Sequence, residues 1–235
     1  AESAGYSTFW VNDVEAASGL EQLARAQAVT STIALGVGVL PVDRWTPAQV
    51  EQTCQSLALD PSRLIIGIGA GPLHKGSLAA VKSCATELRA RNLGQVVVGA
   101  LGPKMCALAG SDADGVLLNW LTPDSAAELG QITRNASSAS PTIRAYIRTA
   151  ASVEASQRLQ RECAAYESYP SYARQFARMG VTAMDTCILG NAISINERFE
   201  GYAGCDEVVA RAIVGEESTV AYLEVLNAAA PLPVR

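Results

Sequence analysis

Three short segments carry residue types from which a binding site could be assembled. Gly67-Ile-Gly-Ala-Gly71 places three glycines in five positions. Its spacing is G-x-G-x-G and not the G-x-G-x-x-G of dinucleotide loops, and Pro72 follows where a helix would begin. The segment reads as a tight turn out of a strand, where backbone comes close to a ligand ring or to a neighbouring strand. Ala100-Leu-Gly-Pro-Lys-Met-Cys106 ends a strand in a Gly-Pro turn, with Pro103 at the first turn of a helix. Open N–H groups, the helix dipole and Lys104 make a candidate phosphate cradle there, the alternative being an ordinary turn with a solvated lysine. Asp112-Ala-Asp-Gly-Val-Leu-Leu-Asn-Trp-Leu-Thr-Pro123 carries Asn119 and Trp120 to a strand end, with Asp114 placed to cap the turn into that strand. Arg148, at another strand end, could meet an anionic substrate or pair with a surface acid. His74, the one histidine, falls in the loop after the glycine turn. No Ser-His-Asp or Cys-His set and no spaced carboxylate pair stands out.

These positions need a scaffold, and the hydrophobic pattern supplies one. Strands are expected at Thr8–Val11, Ile33–Leu40, Leu64–Ile68, Val96–Leu101, Gly115–Leu121, Thr142–Arg148 and, more weakly, Val208–Val214. Helices are expected near Leu20–Val29, after Thr46-Pro47, over Leu78–Arg91, from Lys104, after Thr122-Pro123, over Ser152–Gly180 with a break at Tyr169-Pro170, and over Thr219–Ala229. Uninterrupted apolar strands alternating with helices imply parallel strands covered on their outer face. About seven such units, with glycines gathered at several strand ends (Gly36, Gly38, Gly67 to Gly71, Gly99, Gly102), favour a (β/α)8 barrel over a doubly wound sheet. The stretch Thr186–Tyr202 reads as helix more than strand. No linker or composition shift divides residues 1–235, so one α/β domain is expected.

Composition narrows the function classes. With 18 Lys plus Arg against 23 Asp plus Glu, the formal net charge is -5, which argues against a nucleic-acid surface. A 49% hydrophobic, weakly charged chain is not intrinsically disordered. No apolar run approaches the roughly 18–20 residues of a membrane span, and Ala1–Tyr6 lacks the features of a signal peptide, so a cytoplasmic protein is expected. Six cysteines without a C-x-x-C pair, beside a single histidine, argue against a structural metal and read as buried reduced thiols.

Taken together, three segments resemble the bacterial luciferase-like monooxygenases and their deazaflavin-dependent, methylenetetrahydromethanopterin reductase-like relatives. They are Thr30-Ser-Thr-Ile-Ala-Leu-Gly-Val-Gly-Val-Leu-Pro41, Arg63-Leu-Ile-Ile-Gly-Ile-Gly-Ala-Gly71 and Gly99-Ala-Leu-Gly-Pro-Lys-Met-Cys-Ala-Leu-Ala-Gly-Ser-Asp-Ala-Asp-Gly-Val-Leu-Leu-Asn119. The resemblance covers most of residues 1–150 and fades toward the C-terminus. It implies a TIM-type barrel, often dimeric, that binds FMN or the deazaflavin coenzyme F420 at its C-terminal face and acts on a small organic substrate. By the same resemblance, Gly38-Val39 matches the family's non-prolyl cis peptide against the cofactor ring. Ala70 and Gly71 match the loop flanking ring and tail. Leu101 and Gly102 match the backbone donors to the phosphate, with Lys104 close by, and Asp13 matches an acidic position near the cofactor.

This chain looks like a shortened member. Val14 stands where relatives often carry a histidine, and Pro72 where some carry a catalytic Glu. The insertion common after the glycine-turn strand is missing, because Gly76–Leu93 leads almost directly to Val96. Ala1–Gly5 reads as the end of a first helix, which leaves the first strand absent and two sheet edges exposed, at the strands holding Phe9 and Val209. The expectation is a homodimeric flavin- or deazaflavin-dependent oxidoreductase passing hydride between cofactor and substrate, with His74, Asn119, Trp120 and Arg148 converging at the C-terminal face. A non-catalytic cofactor-binding or accessory protein and a flavin-free barrel are the rival readings.

Overall fold

A computed structural model describes residues 1–14, 17–71 and 75–231. Eight strands form one all-parallel sheet: β1 (Thr8–Val11), β2 (Ala34–Pro41), β3 (Leu64–Gly69), β4 (Gln95–Ala100), β5 (Gly115–Asn119), β6 (Thr142–Ala150), β7 (Ile188–Leu189) and β8 (Glu207–Ala212). Among the described residues nine α-helices lie between and after them: α1 (Gly19–Gln27), α2 (Pro47–Ser56), α3 (Ser77–Arg91), α4 (Pro103–Asp112), α5 (Pro123–Ala136), α6 (Val153–Ser168), α7 (Pro170–Met179), α8 (Ala192–Glu200) and α9 (Thr219–Ala228). Strands β1 to β6 pair in chain order, and β8 pairs with β6 from Arg144↔Glu207 to Thr149↔Ala212. The sheet curls into a nearly closed (β/α) barrel. The expected break at Tyr169-Pro170 separates α6 from α7, where Pro170 opens the second helix. The two-residue β7, against Thr149 and Ala150 of β6, is an element the sequence pattern did not announce.

Alternation along the strands sorts side chains into two cores. Leu64, Ile66, Ile68, Val96, Val98, Val116, Leu118, Ile143, Ala145 and Ile147 face outward into the main layer under the helices. Ile65, Val97, Leu117 and Val209 face inward, packed with Trp10, Ala34, Val39 and Tyr146. Both faces of each strand are thus covered, which is why the runs are continuously apolar in place of alternating. A third cluster forms beyond the strand ends, where Trp120 packs with Leu159, Cys163, Phe176, Cys187 and Ile213.

The two sheet edges expected from the sequence are present. Strand β1 pairs only with β2, and among the described residues no backbone pairing joins β1 to β8. Side chains span the gap instead. The Thr8 hydroxyl and the Trp10 Nε1 (3.4 Å) donate to one oxygen of Glu207, while Arg144 Nε donates to the other at 2.8 Å. Arg144 also reaches Gln95 Oε1 at 3.1 Å. This belt of polar groups closes the N-terminal half of the interior, so the barrel is plugged at one end and carries its unusual residues at the other.

Candidate functional site

The C-terminal half of the barrel interior has two unlike walls. On β2, β3 and β4 the wall is built from glycine: Gly36, Gly38, Gly67, Gly69 and Gly99. A Cβ on Gly69 or Gly99 would come within 2.7 and 2.9 Å of the Val39 methyls, and one on Gly36 within 2.5 Å of the Trp10 ring. Strand β2 shifts register between Val37 and Leu40, and the Gly38-Val39 peptide inside that irregularity is cis, at the position the family resemblance marked. Val39 lies against Gly69 and Gly99, whereas Gly36 and Gly38 adjoin Trp10 and Leu117 and Gly67 adjoins the Val37 carbonyl.

On the opposite wall stand residues of β5, β6, β8 and the helices behind them. Arg148 is 2% exposed, and its Nη1 donates to Asn119 Oδ1 at 2.7 Å. Its guanidinium carbon lies 3.5 Å from the centre of the Trp120 ring and 4.8 Å from that of Tyr166, so the cation rests against both rings. Glu162 of α6 accepts from Arg148 Nε at 2.8 Å and, with the same oxygen, from Arg211 Nη1. Arg148 and Arg211 are cross-strand partners, so two cations share one carboxylate. Tyr146, also on β6, donates to Asn12 Oδ1 at 2.9 Å. Burial raises its phenol above the usual range, with Arg211 and Arg148 pulling the other way. Desolvation works against the Arg211 charge, yet Tyr146 and Glu162 outweigh it and hold its pKa above the ordinary arginine value.

Asn119, Trp120 and Arg148 are brought together, as their places at strand ends imply. His74 lies outside the described residues, as does Pro72. Trp120 adopts φ 55°, a left-handed conformation rare for a residue with a Cβ, and Gln175 of α7 holds it there by donating to the carbonyls of Asn119 (2.8 Å) and Trp120. The indole Nε1 is buried and has no hydrogen-bond partner among the described residues.

The cofactor positions fall on the glycine side. Gly71 has φ 57°, and a Cβ there would meet Asp43 Oδ1 at 2.5 Å, so only glycine fits this turn. Gly102 is the N-cap of α4, with Pro103 following, and among the described residues no side chain caps this helix end. Ser18, Thr46, Thr122, Ser152, Asn191 and Ser218 each cap their own helices, while α3 at Gly76 and α7 at Tyr169 also start without a side-chain cap. Arg178 of α7 reaches this end, donating to the Leu101 carbonyl at 3.0 Å, and Lys104 is exposed beside it. Asp13 is more committed: Oδ1 accepts from Gly19 N at the start of α1, and Oδ2 from Arg44 (2.8 Å) and Trp45 (2.9 Å). It ties α1 to the loop after β2.

Sequence reasoning missed Glu162, Gln175, Arg178, Arg211 and Tyr146. All but Tyr146, which shares β6 with Arg148, reach the site from a later helix or strand, and their types alone do not distinguish them from surface residues. The alternating inward register of β6 and β8 was the available signal for Tyr146 and Arg211. An open cleft of about 440 Å³ lies at the other mouth, lined by Gln95, Asp114, Ser140 and Thr142 at strand starts, where Arg89 is already paired with Asp114. Among the described residues no cluster could hold a metal ion, and no helix is long and apolar enough to cross a membrane.

Comparison with known proteins agrees with this architecture. Residues 1–77 match the family model of the luciferase-like monooxygenases. No curated protein matches the chain. Among solved structures, an F420-dependent secondary alcohol dehydrogenase bound to an F420–acetone adduct is 15% identical with a TM-score of 0.75, over 97% of this chain and 92% of that one. The coenzyme F420 dependent tetrahydromethanopterin reductase from Methanopyrus kandleri is 16% identical (TM-score 0.65; 96% and 90% covered). The oxygenating constituent of 3,6-diketocamphane monooxygenase from Pseudomonas putida, in complex with FMN, is 12% identical (TM-score 0.66; 97% and 88% covered). At these identities the likeness is one of fold.

Proposed function

We propose that this chain is a luciferase-like oxidoreductase that binds FMN or coenzyme F420 at the C-terminal mouth of the barrel and acts on a small organic substrate. The observation that carries the reading is the open N-terminus of α4. Its first N–H groups lack a side-chain cap, the helix dipole points its positive end outward, and Arg178 and Lys104 stand beside it. Such an end suits a phosphate or phosphodiester. The residues present fit the group in a second respect, because Val39 on its glycine bed offers a smooth apolar surface to a flat ring system.

The bound flavin or deazaflavin would supply the hydride chemistry, and the protein supplies position and electrostatics. In this reading Leu101, Gly102, Lys104 and Arg178 hold the phosphate, and Ala70 and Gly71 line the passage between tail and ring. Gly38 and Val39 support the ring. Asn119 belongs to the facing wall, backed by the buried Trp120 and Arg148, with Arg148 fixed by Glu162. That wall holds two guanidiniums against one carboxylate, which favours an electron-rich partner across the cavity. Asp13 contributes by anchoring the loop after β2.

The test is a binding titration of FMN and F420 against the parent chain and Gly102→Val. Gly102 has extended backbone that any residue adopts, and an added Cβ would meet only the mobile tip of Arg178, so the variant should fold. Its affinity should fall at least tenfold, about 1.4 kcal/mol. Unchanged affinity in the folded variant would remove the phosphate from this turn, and no binding of either cofactor to the parent would remove the reading altogether. Turnover with reduced cofactor then separates an enzyme from a binding protein.

A homodimer joined near the β1–β8 edge belongs to the same reading. Helix α9 flanks that edge, the Tyr6 hydroxyl donating to the Leu226 carbonyl at 2.7 Å, and exposes Val220, Tyr222 and Leu223. Adjacent apolar groups of this size mark contact surfaces. Light scattering should give twice the 24.6 kDa chain mass, and a monomer at micromolar concentration would reject the contact.

A further inference from the structure

Two of the six cysteines stand apart from the rest. Cys163 on α6 and Cys187, just before β7, are both buried, with Sγ atoms 3.7 Å apart. The Cys187 sulfur also lies 3.4 Å from the Ala183 carbonyl. Burial pushes the thiols of Cys54, Cys84 and Cys205 up to about 11 and that of Cys106 to about 12. Cys163 moves the other way. The hydrogen bond shared with Cys187 and, more weakly, the positive charge of Arg148 draw its thiol below the usual range, while that bond and burial raise the thiol of Cys187. The contact between the two sulfurs places each to attack the other once one is oxidised, and thiolate character favours Cys163 as the first to react.

We propose that Cys163 and Cys187 are a redox-sensitive pair which hydrogen peroxide converts to an intramolecular disulfide. In the first step the Cys163 thiolate attacks one peroxide oxygen. An S–O bond forms, the O–O bond breaks, and the departing hydroxide takes up the thiol proton as water. In the second step the Cys187 sulfur attacks the Cys163 sulfenic acid. The S–S bond forms as the S–O bond breaks, and a second water leaves with the Cys187 proton. Two thiols lose two hydrogens in total, and the peroxide is reduced to two waters.

The position of the pair gives the disulfide a structural consequence. Cys163 follows Glu162, the carboxylate shared by Arg148 and Arg211. Cys187 precedes Ile188, which pairs with Thr149 next to Arg148. Both cysteines line the cluster that seats Trp120. Oxidation therefore fastens the helix carrying Glu162 to the segment beside the strand carrying Arg148, and holds one wall of the C-terminal mouth in place. This inference concerns the protein's own thiols and stands whether or not a flavin binds.

The test treats the folded chain with near-stoichiometric hydrogen peroxide and maps its peptides without reduction. Expected are the loss of two hydrogen masses, four free thiols in place of six, and a Cys163–Cys187 linked peptide that dithiothreitol releases. The oxidised chain should also unfold at a higher temperature than the reduced one, a shift absent from Cys163→Ser. Cys187→Ser should accumulate a sulfenic acid at Cys163 that dimedone captures. Sulfinic acid at Cys163 in the parent chain, another pairing, or six unreacted thiols would each overturn the proposal. Mapping the parent chain requires no variant, so a misfolded substitution leaves the answer intact.

Discussion

Glu162→Gln should lower the stability of the folded chain by about 3 kcal/mol, the low end of the cost of leaving a buried charge without its partner. The glutamine keeps the shape of the side chain and one acceptor, so packing on α6 is preserved. What it removes is the one negative charge between Arg148, whose side chain is 2% exposed, and Arg211, at 23%. The two guanidiniums are cross-strand neighbours, and like charges so placed repel. Arg148 has no solvent to fall back on, while Arg211 recovers part of its hydration, which keeps the expected cost below the upper end of the range. For a chain of this size the effect amounts to roughly 6–12 °C in the unfolding midpoint. Arg148→Met in the same background should recover part of the loss, because residues of one ionic cluster do not contribute additively. A Glu162→Gln midpoint within a degree or two of the parent would mean the arginines are compensated elsewhere.

The layout of this cluster also explains what could be read from the sequence and what could not. Leu64–Ile68 was legible because helices and barrel interior cover both faces, leaving an apolar run with no helical period, and Thr142–Arg148 because its residues alternate with the period of a strand. Helix starts at Thr46-Pro47 and Thr122-Pro123 were legible because capping is local chemistry: a hydroxyl accepting from the N–H three residues on, with proline where no donor is needed. Strand ends placed Asn119, Trp120 and Arg148 on one face, since parallel strands deliver their C-termini to the same mouth. The partners that lock these residues were not legible. Glu162, Gln175 and Arg211 come from three later elements, and only the closing of the barrel brings them within hydrogen-bond distance of β5 and β6. The glycines were ambiguous for a related reason. A glycine records that something lies close, not what, and here Val39 occupies much of the cleared space. Strand β7 left no pattern because two residues cannot show a period.

Trp120→Ala should be the most damaging single truncation in the chain, at about 3–5 kcal/mol for a buried aromatic removed from a packed cluster. The ring is 1% exposed and touches Tyr166 and Phe176 with centroids 4.7 and 5.8 Å away, and it carries the stacked guanidinium of Arg148. Losing it opens a cavity and strips a cation of its aromatic face. The backbone supplies a sharper discriminator than the size of the loss. At an ordinary buried position glycine is worse than alanine, because the unfolded chain gains freedom. At φ 55° the order should reverse, since a Cβ in the left-handed region costs about 1–2 kcal/mol and exceeds the roughly 0.5–1 kcal/mol entropic disadvantage of glycine. Trp120→Gly should therefore unfold at a slightly higher denaturant midpoint than Trp120→Ala, although both fall well below the parent chain. If alanine proves the more stable of the two, residue 120 does not hold its left-handed conformation once the indole is gone. The Gln175 side chain would then be too weak to fix the turn alone, and the ring itself would be what sets the backbone that delivers Asn119 to Arg148.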